Sequence, residues 1–158
     1  MLLKTILNDV EKHPLFIYGT AKIIKNDGHK RIEIPIKARK RSKGICSSCH
    51  KTAPGYDMQA IRRFSFIPIW GFLVFFLYAP RRVNCPDCGV KVEEIPWANG
   101  KSDQTKTYAW FLADWAKDLS WKEVGVHFKT SWYHVFTAVK MAVDWGRDHM
   151  NIDNITAM

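Results

Sequence analysis

No apolar run in this chain reaches the length that a membrane span requires. The longest, residues 66–79, holds 14 residues, against about 20 for a spanning helix. Pro68 and Gly71 interrupt it, and Arg62-Arg63 and Arg81-Arg82 bracket it. Its β-branched and aromatic content suits two buried strands joined near Trp70-Gly71, so a hairpin is expected and no membrane partner. An export signal is also missing, because the apolar stretch within the first eight residues is far too short for one. Acidic residues are scarce, 15 against 24 Lys+Arg. Those after Gly100 are scattered along helical segments and read as solvated faces and caps, and no catalytic residue or organic-cofactor site is assigned. Cysteine is scarce as well, four residues in all, and none is left over.

Those four fall into two matched pairs, Cys46-Ser-Ser-Cys49 and Cys85-Pro-Asp-Cys88. Two C-x-x-C knuckles offer four soft thiolates, the number that a tetrahedral structural zinc site takes. The gap of 35 residues between them is longer than the roughly 15–20 of a compact ribbon, and it leaves room for a hairpin that brings the knuckles together. Disulfides would need an oxidising compartment and an export signal. Cys46-Ser-Ser-Cys49-His50 also spells the c-type haem attachment pattern, but that reading leaves Cys85 and Cys88 unexplained. A thioredoxin-like redox pair would want one C-x-x-C, and here there are two. His50 reads as a loop residue beside the knuckle, with replacement of a thiolate as its alternative.

Charge is unevenly placed. Of the net +9, residues 1–99 hold 17 basic against 8 acidic residues, while residues 100–158 hold 7 against 7. An acidic polymer is the natural partner of the first part, nucleic acid before an anionic membrane. The densest run carries Lys37, Arg39, Lys40, Arg41 and Lys43 just before the first knuckle, and Arg81-Arg82 stand just before the second. Their functional reading is phosphate contact, which positions a protein on DNA without reading sequence. Their bland reading is a solvated loop.

The element pattern divides the chain. Residues 20–25 and 31–37 read as a strand pair joined at Asn26-Asp27-Gly28, with Pro35 placing the second strand at a sheet edge. Leu2, Leu3, Ile6, Leu7 and Val10 form a short helical stripe expected to pack on the sheet. Residues 98–104 read as a linker by composition. Beyond them Tyr108, Phe111, Leu112, Trp115 and Leu119 line one face of a helix. Ser120 and Glu123 fit a capping box for a second helix ending near Phe128. A turn at Lys129-Thr130 precedes a third helix, capped by Ser131 or Thr130 and running to about Trp145. The expected fold is thus α+β: a zinc-ribbon-like β domain at residues 1–97, a linker at 98–104, and a three-helix helix-turn-helix domain at 105–158. Gly125 sits where the last two helices would cross, with Val124, Phe128, Val135 and Ala138 as the crossing's apolar residues. Lys129 stands where such turns often hold Gly. A plain three-helix bundle that touches nothing is the competing interpretation. If the third helix enters a major groove, its outward candidates are Ser131, Trp132, Tyr133, Thr137 and Lys140, with His134 toward the flanking backbone and Phe136 ambiguous.

The run Arg81-Arg-Val-Asn-Cys-Pro-Asp-Cys-Gly-Val-Lys-Val-Glu-Glu-Ile-Pro-Trp-Ala98 resembles the zinc-finger segment of bacterial insertion-sequence transposases of the ISL-three type. Cys46-Ser-Ser-Cys49 through Pro54-Gly-Tyr-Asp57 and Pro68-Ile-Trp-Gly71 fit the same pattern. So do Leu119-Ser-Trp-Lys-Glu-Val124, Thr130-Ser-Trp132 and Val135, which match the family's helix-turn-helix. The resemblance implies a bacterial cytoplasmic protein whose partner is double-stranded DNA at terminal inverted repeats. It further implies that catalysis belongs to a ribonuclease-H-like domain with an Asp-Asp-Glu metal site. Asn151-Ile-Asp-Asn-Ile-Thr-Ala-Met158 resembles the segment just before that domain's first catalytic strand, and Asp153 is not the catalytic residue by position. The expectation is therefore a truncated or frameshifted copy that is not an enzyme by itself. Two alternatives stand beside it: a free-standing regulator, and a protein–protein module dimerising through Trp70, Trp97 and the third helix. The seven tryptophans permit a homodimer.

Overall fold

Every second side chain along two stretches of the first hundred residues leaves solvent. Ile32, Ile34 and Ile36 alternate in one stretch; Phe64, Phe66, Val74, Phe76 and Tyr78 alternate in the other. Period-two burial is the signature of strands with one face on a core. In the computed structural model, which describes residues 3–26 and 29–150, the fold is α+β. It comprises two compact units that meet in sequence between Thr105 and Lys106.

The first unit opens with helix α1 (Leu3–Val10), which buries Leu7 and half-buries Leu3 against the sheet core. Val10, expected on the same stripe, is exposed, and Leu2 lies outside the described residues. The strands β1 (Phe16–Tyr18), β2 (Lys22–Asn26), β3 (His29–Ala38), β7 (Arg62–Ile69) and β8 (Phe72–Tyr78) form one sheet. The long β3 takes β1 and β2 along one side and β8, in parallel, along the other. The expectation that Pro35 marks a sheet edge is therefore corrected: β3 is an interior strand. Proline is tolerated because of where it falls. β2 pairing stops at Glu33 and β1 pairing starts at Ile36, so Pro35 faces the connector, whose Gly19 N–H donates to its carbonyl at 2.7 Å. A strand residue's N and C=O point to the same side, so the missing N–H is not withdrawn from the β8 ladder. The β7–β8 hairpin is as expected, with Trp70 at φ 51° and Gly71 at φ 77°. Two left-handed central residues match the right-handed twist of the flanking strands.

The crossover between β3 and β8 carries β4 (Gly44–Ile45), β5 (Thr52–Ala53) and β6 (Gly55–Met58). β4 pairs with β5, while β6 pairs with β9 (Arg81–Cys85), which also pairs with β10 (Gly89–Val92). Only Ala79 and Pro80 separate β8 from β9, so the strand that pairs in the sheet also leads to the second knuckle. Residues 98–104 do not behave as a free linker. Ser65 N–H donates to Asp103 O at 2.8 Å, Thr105 N–H returns a bond to Ser65 O at 2.9 Å, and Gln104 and Thr105 are buried. Trp97 fills the centre of the sheet core, edge-on to Phe16, Phe64 and Tyr78. At 1% exposure it is unavailable for the dimer contact considered from sequence.

The second unit contains α2 (Lys106–Trp115), α3 (Trp121–His127) and α4 (Trp132–His149). Ser120 and Glu123 close the expected capping box, and Ser131 caps α4 by accepting from the His134 N–H. Leu112, Val124, Val135 and Ala138 form its dry centre, and Phe128 packs edge-on to Phe111 at 4.9 Å between ring centroids. Leu119 lies beyond the end of α2. Helix α4 continues past Trp145 to His149, whose ring stacks on Trp145 at 4.2 Å. Gly146-Arg147-Asp148 carry no apolar mark from which that last turn could be read.

Candidate functional site

Each knuckle sits at the tip of a short strand pair. Cys46 follows β4, and Cys49 precedes β5; Cys85 ends β9, and Cys88 precedes β10. The residue after each pair turns left-handed, His50 at φ 58° and Gly89 at φ 72°. The two loops thus share one geometry, with glycine at the less strained copy. The His50 N–H donates to Cys46 O at 2.9 Å and the Cys46 N–H to Lys51 O at 2.8 Å. An isolated bridge between Cys46 and Glu93 joins the two hairpins, and the Lys51 ammonium meets Asp87 across them at 2.7 Å.

The outcome is a cluster of all four cysteines, whose sulfurs lie within 4.8 Å of one another. Cys49 Sγ and Cys85 Sγ are 3.5 Å apart. A tetrahedral site with metal–sulfur bonds of about 2.3 Å has edges of about 3.8 Å, so the residues fit such an ion. Electrostatics agree with the geometry. The backbone N–H groups of Cys49 and Ser48 hold the Cys46 thiol down to about 6. The neighbouring Cys49 sulfur, and after it burial, push the Cys88 thiol up to about 12. Four sulfurs this close resist simultaneous ionisation unless a cation sits among them. The arrangement can hold a thiophilic metal ion. His50 stays outside the set, its Nδ1 2.8 Å from Glu94 Oε2.

Across the bridge from Cys46 lies a group that sequence reasoning missed. The Glu93 carboxylate is buried and accepts from Tyr78 OH, from the Arg81 backbone N–H at 2.9 Å, and from Arg81 Nε and Nη2 at 2.9 and 2.7 Å. Arg81 Nη1 donates to Ser42 O at 2.8 Å. Burial and the Glu93 hydrogen bond both raise the Tyr78 hydroxyl pKa, keeping it protonated as a donor. Nothing in local sequence separates buried Glu93 from its neighbour Glu94, which meets His50 near the surface.

The predicted phosphate contacts separate accordingly. Lys37, Arg39, Lys40, Arg41 and Lys43 are exposed, although Arg39 Nε donates to Pro14 O at 2.7 Å. Arg81 is engaged inward as described. Arg82 is half-exposed, pairs bidentately with Asp57, and lies over the Tyr56 ring. On α4, Trp132 and Tyr133 are 63% and 57% exposed. The Ser131 hydroxyl serves the helix cap. His134 Nδ1 meets Thr130 Oγ1 at 2.9 Å, Thr137 Oγ1 donates to the His134 carbonyl at 3.0 Å, and Lys140 pairs with Asp144 at 2.7 Å. Phe136, ambiguous in sequence, packs against Trp121 of α3 at 5.6 Å.

The chain is distantly similar to the transposase for insertion sequence element IS1557 of Mycobacterium tuberculosis, in strains CDC 1551 / Oshkosh and ATCC 25618 / H37Rv. Each is 26% identical over 144 residues, covering 82% of this chain. The chain spans 30% of the length of those relatives. No family model and no solved structure matches it. No described helix is long and apolar enough to cross a membrane.

Proposed function

We propose that this chain is a zinc-stabilised DNA-binding portion of an insertion-sequence transposase, and that it engages the double-stranded terminal inverted repeats of its element. The similarity to the IS1557 transposase over 82% of the chain carries this reading. Cys46, Cys49, Cys85 and Cys88 hold the zinc. When bound, the ion supplies a crosslink between two hairpins and no chemistry of its own. Zinc is preferred to iron because four thiolates at a structural site suit it best.

The second unit acts as a helix-turn-helix, with α3 across the DNA backbone and α4 in the major groove. Supporting this are the short α3–α4 turn and the close approach at Gly125, where an added Cβ would stand 3.0 Å from Thr130 O. Trp132 and Tyr133 meet thymine methyls and sugars, while Ser131, His134, Thr137 and Lys140 fix and flank the reading helix. Lys37, Arg39, Lys40, Arg41, Lys43 and Arg82 contact phosphate. Arg81 serves instead as the scaffold that holds Glu93. Strand cleavage and joining belong to the part of the relatives' length that this chain does not span.

The test is fluorescence anisotropy with the zinc-loaded chain and duplexes from the ends of the element that encodes it. Terminal-repeat duplexes should bind at least about tenfold tighter than shuffled ones, since each mismatched base pair costs about 1–3 kcal/mol. Equal affinity for repeat and shuffled DNA would refute end recognition, and no binding at low salt would refute the DNA reading altogether.

A further inference from the structure

At the end of β3 lies a groove of about 500 Å³, lined by the cations Lys37, Arg39 and Arg41 together with apolar side chains that include Met58, Ile61 and Leu77. Met58 and Ile61 are 67% and 72% exposed, which is unusual for adjacent apolar side chains beside so much charge. Among the described residues no carboxylate lines the groove, and Arg81 at its base is already matched by Glu93. Arg41 is held at φ 67°, a conformation that costs a non-glycine residue about 1–2 kcal/mol. The turn that presents Arg41 is thus kept despite local strain.

A duplex backbone would satisfy the cations and leave Met58 and Ile61 facing water. A ligand that satisfies both kinds of side chain is anionic at one end and flat or apolar at the other. We propose that this groove receives an unpaired nucleotide of a DNA strand, its phosphate on Lys37, Arg39 and Arg41 and its base against Met58, Ile61 and Leu77. The inference rests on the DNA-binding reading above and adds a single-strand site to it. The volume falls in the range of small-ligand sites, roughly 300–1,000 Å³. The phosphate contact is tolerant of sequence.

The experiment compares a blunt duplex with the same duplex bearing a three-thymidine tail, using the zinc-loaded full chain. The tailed duplex should bind about tenfold tighter, equivalent to about 1.4 kcal/mol. In the double variant Met58→Ser, Ile61→Ser that gain should vanish while blunt-duplex affinity stays unchanged. Both positions are exposed, so the substitutions leave the core intact. Equal binding of the two duplexes by the parent chain overturns the groove assignment and leaves the DNA reading standing. A tail preference that survives in the double variant places the unpaired base elsewhere and also overturns it. Binding of neither duplex defeats the DNA reading and this site with it, and preference for phosphatidylserine vesicles over both DNAs reassigns the groove to a lipid headgroup.

Discussion

A carboxylate taken out of water is tolerated only when its oxygens are fully engaged, and removing one partner then exposes the full desolvation penalty of the other. Glu93 and Arg81 meet that condition at the open end of the β9–β10 hairpin, and Arg81 reaches from there to Ser42 O ahead of the first knuckle. Glu93→Gln should lower the unfolding free energy by about 3 kcal/mol in urea titration, whereas Glu94→Gln, which touches only an exposed His50, should change it by less than about 0.5 kcal/mol. Glu11 gives the opposite kind of residue effect. Burial raises its carboxyl to about 7 from an ordinary value of 4.5, so the folded state favours the neutral acid. The stabilisation is full below about pH 4.5 and is lost as pH rises through 7. Glu11→Gln keeps the site neutral at every pH. It should therefore stabilise the chain relative to the parent by about 1–2 kcal/mol at pH 8, the residue being only half-buried, and by nothing at pH 4. A variant-to-parent difference that is flat between those pH values would contradict this account.

At the scale of elements, the α3–α4 corner depends on one missing side chain. Gly125 lets Thr130 O and Trp132 N approach a position where a Cβ would stand 3.0 and 3.6 Å away, and the turn closes through Lys129 at φ 51°. Gly125→Val should cost about 2 kcal/mol or more by forcing the two helices apart, read as a lower thermal midpoint. An unchanged midpoint would mean that the corner yields freely. This corner was legible in sequence because its requirements are local: a capping box, a small residue and an apolar set at fixed offsets. The two C-x-x-C pairs and the Trp70-Gly71 hairpin were legible for the same reason. The parallel pairing of β3 with β8 was not, since it joins strands separated by the whole first knuckle and β7. Without it Pro35 could not be placed in an interior strand. The stretch 98–104 misled by its polarity, because its ordering comes from backbone bonds to Ser65 that composition does not encode. Glu93 was hidden likewise: its burial follows from the bridge to Cys46, a contact 47 positions away in sequence.

At the scale of the whole molecule, stability and charge are both unequally divided. Among the described residues, the buried apolar cluster around the sulfurs consists of Cys46, Ala53, Val83 and Cys85, too small a core to hold two hairpins without a crosslink. The second unit has no cysteine and its own dry centre. Complete chelation should therefore remove hydrogen-exchange protection from residues 44–58 and 81–95 while leaving that of α2 to α4 intact, and unchanged protection at the knuckles would sink the structural-metal claim. The charge division leads to a separate expectation. Residues 1–99 carry the entire net excess of the chain, so in the DNA-binding reading the salt dependence should reside there, and sequence discrimination in α4. Replacing Lys40 and Lys43 by Gln should weaken binding alike on repeat and shuffled duplexes and reduce the slope of log affinity against log salt by about 1 per cation. Trp132→Ala should leave that slope unchanged and shrink the preference for repeat over shuffled DNA. If instead Trp132→Ala alters the slope and the lysine variants alter the preference, the assignment of grip to the first unit and reading to the second is reversed.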